Sequence, residues 1–230
     1  MVVGHMIVGP GEADRYLEKV LGRAVAAVDV MFVAVDPSAG DAERYIVDTF
    51  TSHWAVLRST WRDHEGRFRQ EAWDAMREAI HLQEGDMVLI VDADELIHDP
   101  EAVKRSIRAR PGHKLSITFY EMWSSNWFRV DGLWKPYNAH IVIPWRDGGR
   151  FLDRPLACGR QPTYVSDVPP FAKSIGKILH YGYARPEDRR MKYERYMELD
   201  GGKYHNIDHL RSIVSDPVLM QWAHGGTIDV

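Results

Sequence analysis

The sequence predicts an α/β fold: a mostly parallel sheet flanked by helices, with an elaborated C-terminal half. Three observations predict it. Strand-type and helix-type patterns alternate from residue 2 to residue 91. The strand-type runs are nearly continuous in apolar residues, as strands buried on both faces require. Acidic side chains stand at the ends of three of those runs, where open α/β sheets collect their ligands.

The elements follow in order. Val2–Val8 reads as a buried strand, broken by Gly9-Pro10-Gly11. Ala13–Val28 carries Leu17, Val20, Leu21, Ala24, Val25 and Val28 at the spacing of one helical face. Val30–Val35 is a second strand, ending at Asp36-Pro37-Ser38, and Asp41–Phe50 a helix. Trp54–Leu57 is a third strand. Arg67–Leu82 is an amphipathic helix with Phe68, Ala72, Ala75, Met76 and Ala79 on one side. Met87–Val91, wholly apolar, is a fourth strand. Beyond Pro100 the alternation loosens into strands at Lys114–Met122, Asn138–Pro144 and Ile175–Tyr181 and helices at Pro186–Leu199 and Ile207–Val214.

Composition bounds the class. The 230 residues are 45% hydrophobic and 27% charged, enough for one sizeable core without a metal or disulfide staple. Without a clean linker, the expectation is one domain over 1–230, with residues 1–100 and 101–230 as two functional halves. A lone cysteine, Cys158, excludes an internal disulfide framework. The net charge of −4 offers no global pull on nucleic acid or anionic lipid. No apolar run approaches the roughly 18–20 residues that span a bilayer. The expected setting is a reducing cytoplasm, bacterial or virally infected, with at most peripheral membrane attachment.

The chemistry concentrates at Asp92-Ala93-Asp94-Glu95, directly after the fourth strand. Carboxylates crowded at a sheet edge repel one another, and a divalent cation relieves that cost. Hard oxygen ligands suit Mg²⁺ or Mn²⁺. The plainer reading is a solvated acidic turn before a helix capped by Asp99. The other acids at strand ends, Glu12 and Asp36, favour the metal-binding reading.

The segment Met87–Glu95 resembles the D-x-D stretch of nucleotide-sugar glycosyltransferases of the GT-A fold, a Rossmann-like layout, and family 2 in particular. Further matches follow in order: Val8–Leu17 resembles the family's first loop and helix, with Gly11 in place of a common Asn. Val33–Asp41 resembles its second strand and nucleotide-contacting aspartate. Arg69-Gln70 stands where an Arg-Asn pair is frequent, and His180-Tyr-Gly-Tyr with Lys192-Tyr-Glu-Arg-Tyr196 resembles the ending of several branches. The resemblance implies donor binding by Val8, Gly9, Glu12, Asp36, Arg69 and Asp92. It implies a metal held by Asp92, Asp94 and His180, with Asp94 central to catalysis. Mn²⁺ or Mg²⁺ is the implied cofactor and a UDP-hexose the implied donor; Mn²⁺ suits imidazole better.

An inverting transfer also needs a base. The family's usual Glu-Asp pair at a helix start is missing, leaving Glu121, Asp131 and Asp153; Glu121, set between aromatics, is favoured. Inverting and retaining chemistry both stay open. Trp123, Trp127 and Trp134 read as loop tryptophans and suggest an acceptor-binding wall. The acceptor stays open among glycan, lipid-linked sugar, protein and modified DNA base, as does oligomeric state. His5, His53, His64 and His81 read as structural or solvated, and Arg185–Arg195 as a solvated helix face, with a phosphate contact or a mobile lid after His180 as its functional alternative. Two alternatives compete: a haloacid-dehalogenase-like phosphatase, disfavoured by Leu96 and the motif's position deep in the chain, and a non-catalytic nucleotide-sugar-binding module.

Overall fold

In the computed structural model, which describes residues 1–229, the first four strands run parallel in the order β3-β2-β1-β4. They are β1 (Val2–Val8), β2 (Val30–Val35), β3 (His53–Val56) and β4 (Met87–Asp92), linked by α1 (Leu17–Ala26), α2 (Asp41–Phe50) and α3 (Glu65–Ala79). Alternate residues of each strand enter opposite faces, so both faces need apolar side chains. Met6, Leu89 and Val91 meet Leu17, Val20 and Leu21 of α1 on one face. Val3, Val88 and Ile90 meet Phe68, Ala72, Trp73 and Met76 of α3 on the other. This double cover is why the strands read as unbroken apolar runs.

The remainder of the chain extends the sheet. β5 (Glu95–Ile97) and α4 (Pro100–Arg108) come first, then β6 (Leu115–Glu121), β7 (Trp127–Arg129), β8 (Tyr137–Pro144) and β9 (Lys177–His180). After α5 (Pro186–Leu199) and α6 (Ile207–Ser212), β10 (Leu219–Gln221) pairs with β7 in a separate ribbon. The full order is β3-β2-β1-β4-β8-β6-β9-β5, and four of its seven pairings among the described residues are parallel. The expected α/β class and mostly parallel, helix-flanked sheet are what the structure shows.

One covalent constraint shapes the sheet. β4 lies fourth and β5 eighth, yet only Ala93 and Asp94 separate them. In a flat sheet those positions stand about 19 Å apart, four spacings of about 4.8 Å. The chain from Asp92 to Glu95 spans about 11 Å at most. The sheet must therefore curl, bringing β9 and β5 over the carboxyl end of β4. The acidic stretch is thus the hinge of a curl, and the helix that Asp99 caps, α4, begins only after β5 (Ala102 N–H to Asp99 Oδ1, 3.0 Å).

Two local departures have clear causes. α1 starts at Leu17, four residues later than its periodicity suggests, because the Glu12 carbonyl accepts from the N–H groups of Arg15, Tyr16 and Leu17 and holds the segment in turns. Glu43 fixes the same loop by accepting from Gly11 and Ala13 N–H at 2.8 and 3.3 Å. At the start of α3, a Cβ on Gly66 would press on the Leu152 carbonyl and stand 2.9 Å from Arg154 N, so only glycine admits the 152–155 segment there.

Trp123 and Trp134 do not form an open wall. They lie 6% and 3% exposed in a satellite core with Tyr183, Leu210 and Ile213. Arg129, itself buried, sits 4.7 Å from the Trp123 ring and 5.2 Å from the Trp134 ring. Asp131 grips Arg129 in a fork at 2.6 and 2.7 Å, which holds its carboxyl down at about 2. Trp127 alone of the three is open, at 40%.

Removing that carboxylate leaves the buried guanidinium with neutral partners alone, the Ser212 carbonyl and the Ser215 hydroxyl. Asp131→Asn is expected to cost about 2–3 kcal/mol at pH 7. The folded carboxyl titrates below its unfolded value of about 3.9, so the wild-type advantage is full above that pH and fades as pH falls towards 2. Thermal melts of both proteins from pH 7 to pH 3 measure the closing gap.

Candidate active site

The curl places Glu121, His180 and Glu95 on one rung across three strands. His180 pairs in register with Glu121 of β6 on one side and Glu95 of β5 on the other. Glu121 Oε2 accepts from His180 Nδ1 at 2.6 Å, and its Oε1 accepts from Tyr137 Oη at 3.0 Å. That arrangement turns His180 Nε2 towards Asp94, 3.4 Å from Oδ2. Lys192 of α5 approaches the same oxygen at 3.5 Å.

Burial opposes every charge here, and partners decide the outcome. Burial works against the His180 imidazolium, but Glu121 and then Asp94 outweigh it and hold its pKa well above the usual histidine value. Burial likewise opposes ionised Asp94, and the His180 and Lys192 charges overcome it, keeping the carboxyl far below its normal range. Glu121 is also held ionised against burial, chiefly by His180. Glu12 and Glu95 are the exceptions. Burial, reinforced by the Asp94 charge, pushes Glu12 up to about 7. Burial, with the Asp92 charge, outweighs Arg160 and raises Glu95 above the usual carboxylate range.

A second set of ion pairs adjoins the first. Arg69 of α3 is 3% exposed, braced by Glu65 at 3.2 Å and lying 4.7 Å from the Trp61 ring. It reaches Asp92 Oδ2 at 3.4 Å; Arg160, from the loop between β8 and β9, reaches the same oxygen at 3.5 Å and Glu95 at 2.6 Å. Asp92 Oδ1 is buried without a hydrogen-bond partner.

The structure thus gathers Asp92, Asp94, Arg69, Glu12, Glu121 and His180, but redistributes their tasks. Glu121, expected as a free base, has both oxygens engaged and instead orients His180. Of the other base candidates, Asp131 is spent on Arg129, and Asp153 stands largely exposed beside His64 and Arg67. Asp36 accepts from the N–H groups of Ser38 and Trp61 at 2.9 and 2.8 Å, so its carboxylate pins the loops after β2 and β3. Val8 is buried and its carbonyl accepts from Asp36 N–H, while Gly9 opens the following turn. Glu95, part of the acidic stretch noted in the sequence, joins the centre, and Arg160, Lys192 and Tyr137, which the sequence did not assign to it, complete it. Lys192 stood inside a noted motif, but nothing in sequence spacing announces Arg160.

Asp94, Glu95 and His180 each offer one ligand atom, all within 4.8 Å of one another. Asp92 is not in that group, because its charge is turned to Arg69 and Arg160. An imidazole with two carboxylates suits a cation of the Mn²⁺ type, and Glu121 behind His180 is the second-layer partner that metal-binding histidines usually have. Gly182 keeps the space clear: an added Cβ would stand 2.5 Å from Asp94 Oδ2 and 2.6 Å from His180 Nε2, and would collide with Lys192 Nζ. The residues fit such a cation. A cleft of about 750 Å³, lined by Arg77, His81, Trp145 and Arg146, lies at the opposite end of β4 and holds none of these groups.

A β3-β2-β1-β4 parallel half, an aspartate pair at the end of β4 and a mixed half curled over it make a recognisable plan. The layout is GT-A-like. No protein-family model matches the chain, and no curated protein matches it. Among solved structures it is similar to TarS of S. aureus, at 15% identity and TM-score 0.43 over 93% of this chain. It spans 42% of the length of that TarS chain, and 70% of a TarS 1-349 chain in complex with UDP, there with TM-score 0.44. A 4-diphosphocytidyl-2C-methyl-D-erythritol synthase is similar over 62% of this chain, at 19% identity and TM-score 0.39. No helix among the described residues is long and apolar enough to cross a membrane.

Gly182→Ala tests the cradle. The atoms its methyl meets belong to side chains rather than backbone, and the Lys192 end is free to move, so the variant is expected to fold, with the His180 ring and Asp94 displaced from their present positions. Its Mn²⁺ affinity, measured by calorimetric titration, is expected to fall by roughly 10–100-fold, the range seen when metal ligands lose their orientation.

Proposed function

We propose that the protein is a metal-dependent glycosyltransferase that moves a hexose from a nucleoside diphosphate sugar, UDP-hexose by preference, to an acceptor hydroxyl. The observation that carries the reading is the ligand group Asp94–Glu95–His180 on the curl at the carboxyl end of β4, kept open by Gly182. Asp94 and His180 would hold the cation, the imidazole giving up its Nε2 proton as the cation binds, with the Glu95 carboxylate as a third ligand. The cation, when bound, neutralises charge that develops on the leaving diphosphate.

The chain's own residues do the rest. Glu121 and Tyr137 hold the His180 ring so that Nε2 faces Asp94. Arg69 and Arg160 fix one oxygen of Asp92, leaving Oδ1 free to accept a ribose hydroxyl of the donor. The Trp123–Trp134 core anchors this second half rather than stacking on sugar, which leaves the exposed Trp127 for acceptor contact.

A thermal-shift screen of nucleotide sugars with and without Mn²⁺ tests the reading. Protection by a UDP-sugar that requires the cation, with UDP released on turnover, supports it. Asp94→Asn is then expected to lower kcat/KM by roughly a hundredfold or more. Protection by no nucleotide, or phosphatase activity on a generic ester, contradicts it.

A further inference from the structure

α5 lies across the loops that follow the parallel strands. Tyr193, Tyr196 and Met197 lean on the satellite tryptophan core, but Asp188 is the one buried residue of the helix. Arg189 donates to the carbonyls of Trp123, Tyr183 and Ala184. Three further polar anchors reach the ends of parallel strands: Asp188 to Arg15 after β1 (3.0 Å), Arg195 to the Trp61 carbonyl after β3 (3.1 Å), and Lys192 to Asp94 after β4 (3.5 Å).

Lys192 is the anchor with an unusual position. Its Nζ shares Asp94 Oδ2 with His180 Nε2 and lies 4.5 Å from the Tyr183 ring centre. Glu12 and Glu121 also attract it. An ammonium and a divalent cation drawn to one carboxylate oxygen repel each other strongly in a poorly solvated site. A lysine on a flexible four-carbon stem is suited to leave one anion for another. A diphosphate beside the cation is such an anion, and its oxygens are stronger acceptors for an ammonium than a carboxylate already engaged by metal.

We propose that Lys192 is a resident counter-cation of this centre: beside His180 it neutralises Asp94 when no ligand is bound, cedes that oxygen to the divalent cation, and then binds the donor's diphosphate. The inference rests on the nucleotide-sugar reading above and adds to it a direct link between donor arrival and the seating of α5. It makes cation and nucleotide mutually dependent, since the cation alone must displace a charge and the nucleotide alone finds an acidic site.

Lys192→Met and Lys192→Arg test it through binding rather than turnover. Mn²⁺ affinity is measured without nucleotide, and UDP affinity in saturating Mn²⁺, with melting temperatures as a check on folding. Lys192→Met is expected to bind Mn²⁺ roughly tenfold more tightly and UDP roughly tenfold more weakly, while Lys192→Arg recovers the UDP affinity. A role in holding α5 alone predicts no such opposite pair of shifts. Both constants within twofold of wild type, or both weakened, overturn the inference; should Lys192→Met fail to fold, Lys192→Gln is read by the same criteria. Wild-type protein that binds neither Mn²⁺ nor UDP overturns the nucleotide-sugar reading and this inference with it. Wild-type binding of both without the split overturns this inference alone.

Discussion

The two-residue step from β4 to β5 is the constraint on which the rest of the structure depends. Because Ala93 and Asp94 must join the middle of the sheet to its far edge, the sheet cannot stay open. Curling carries β9 over the end of β4 and sets His180 against Asp94. The same curl puts Glu95 beneath Arg160 and leaves a gap that α5 crosses. A single insertion or deletion at residues 93–94 alters all of these relations together.

The consequence is a dense cluster of buried charge. Glu12, Asp92, Asp94, Glu95 and Glu121 face Arg69, Arg160, Lys192 and His180, with few of the groups well exposed. Buried ion pairs are poor stabilisers, since desolvation consumes much of what attraction returns. Apolar residues of similar volume hold a fold as well or better. Such a cluster is instead characteristic of sites where perturbed ionisation has a chemical use. Its incomplete satisfaction points the same way: Asp92 Oδ1 and Glu12 Oε2 are buried without hydrogen-bond partners. Cys158, by contrast, is buried with its thiol pushed up to about 12, and it is chemically quiet.

The parallel half was legible because its physics is local. A strand covered on both faces needs an apolar residue at every position, and Met87–Val91 meets that need without exception. Asp92, Asp94 and His180 were legible as candidates for related reasons, each standing at a strand end. In the curled half the strands β6, β8 and β9 and the helix α5 were legible as elements, but their arrangement was not, because its pairings are long-range. β5 is three residues long and pairs with a strand more than 80 residues later, so nothing near Glu95 reveals that His180 and Glu121 share its rung. Arg160 sits in a loop without periodicity. Trp123 and Trp134 look like loop tryptophans because they flank turns, yet Arg129 offers them a buried cation to pack around. Glu121 looked like a free base because only the fold shows that His180 and Tyr137 occupy both its oxygens.

The central claim is that Asp94 and His180 together form a cation site, with His180 oriented by Glu121. Pulsed electron paramagnetic resonance of Mn²⁺-loaded protein tests it most directly, because a coordinated imidazole imprints a ¹⁴N coupling on the manganese echo. Wild-type protein is expected to show that coupling, and His180→Gln to lose it while retaining its fold. Mn²⁺ bound tightly to wild-type protein with no nitrogen coupling, or with a coupling that survives His180→Gln, contradicts the account.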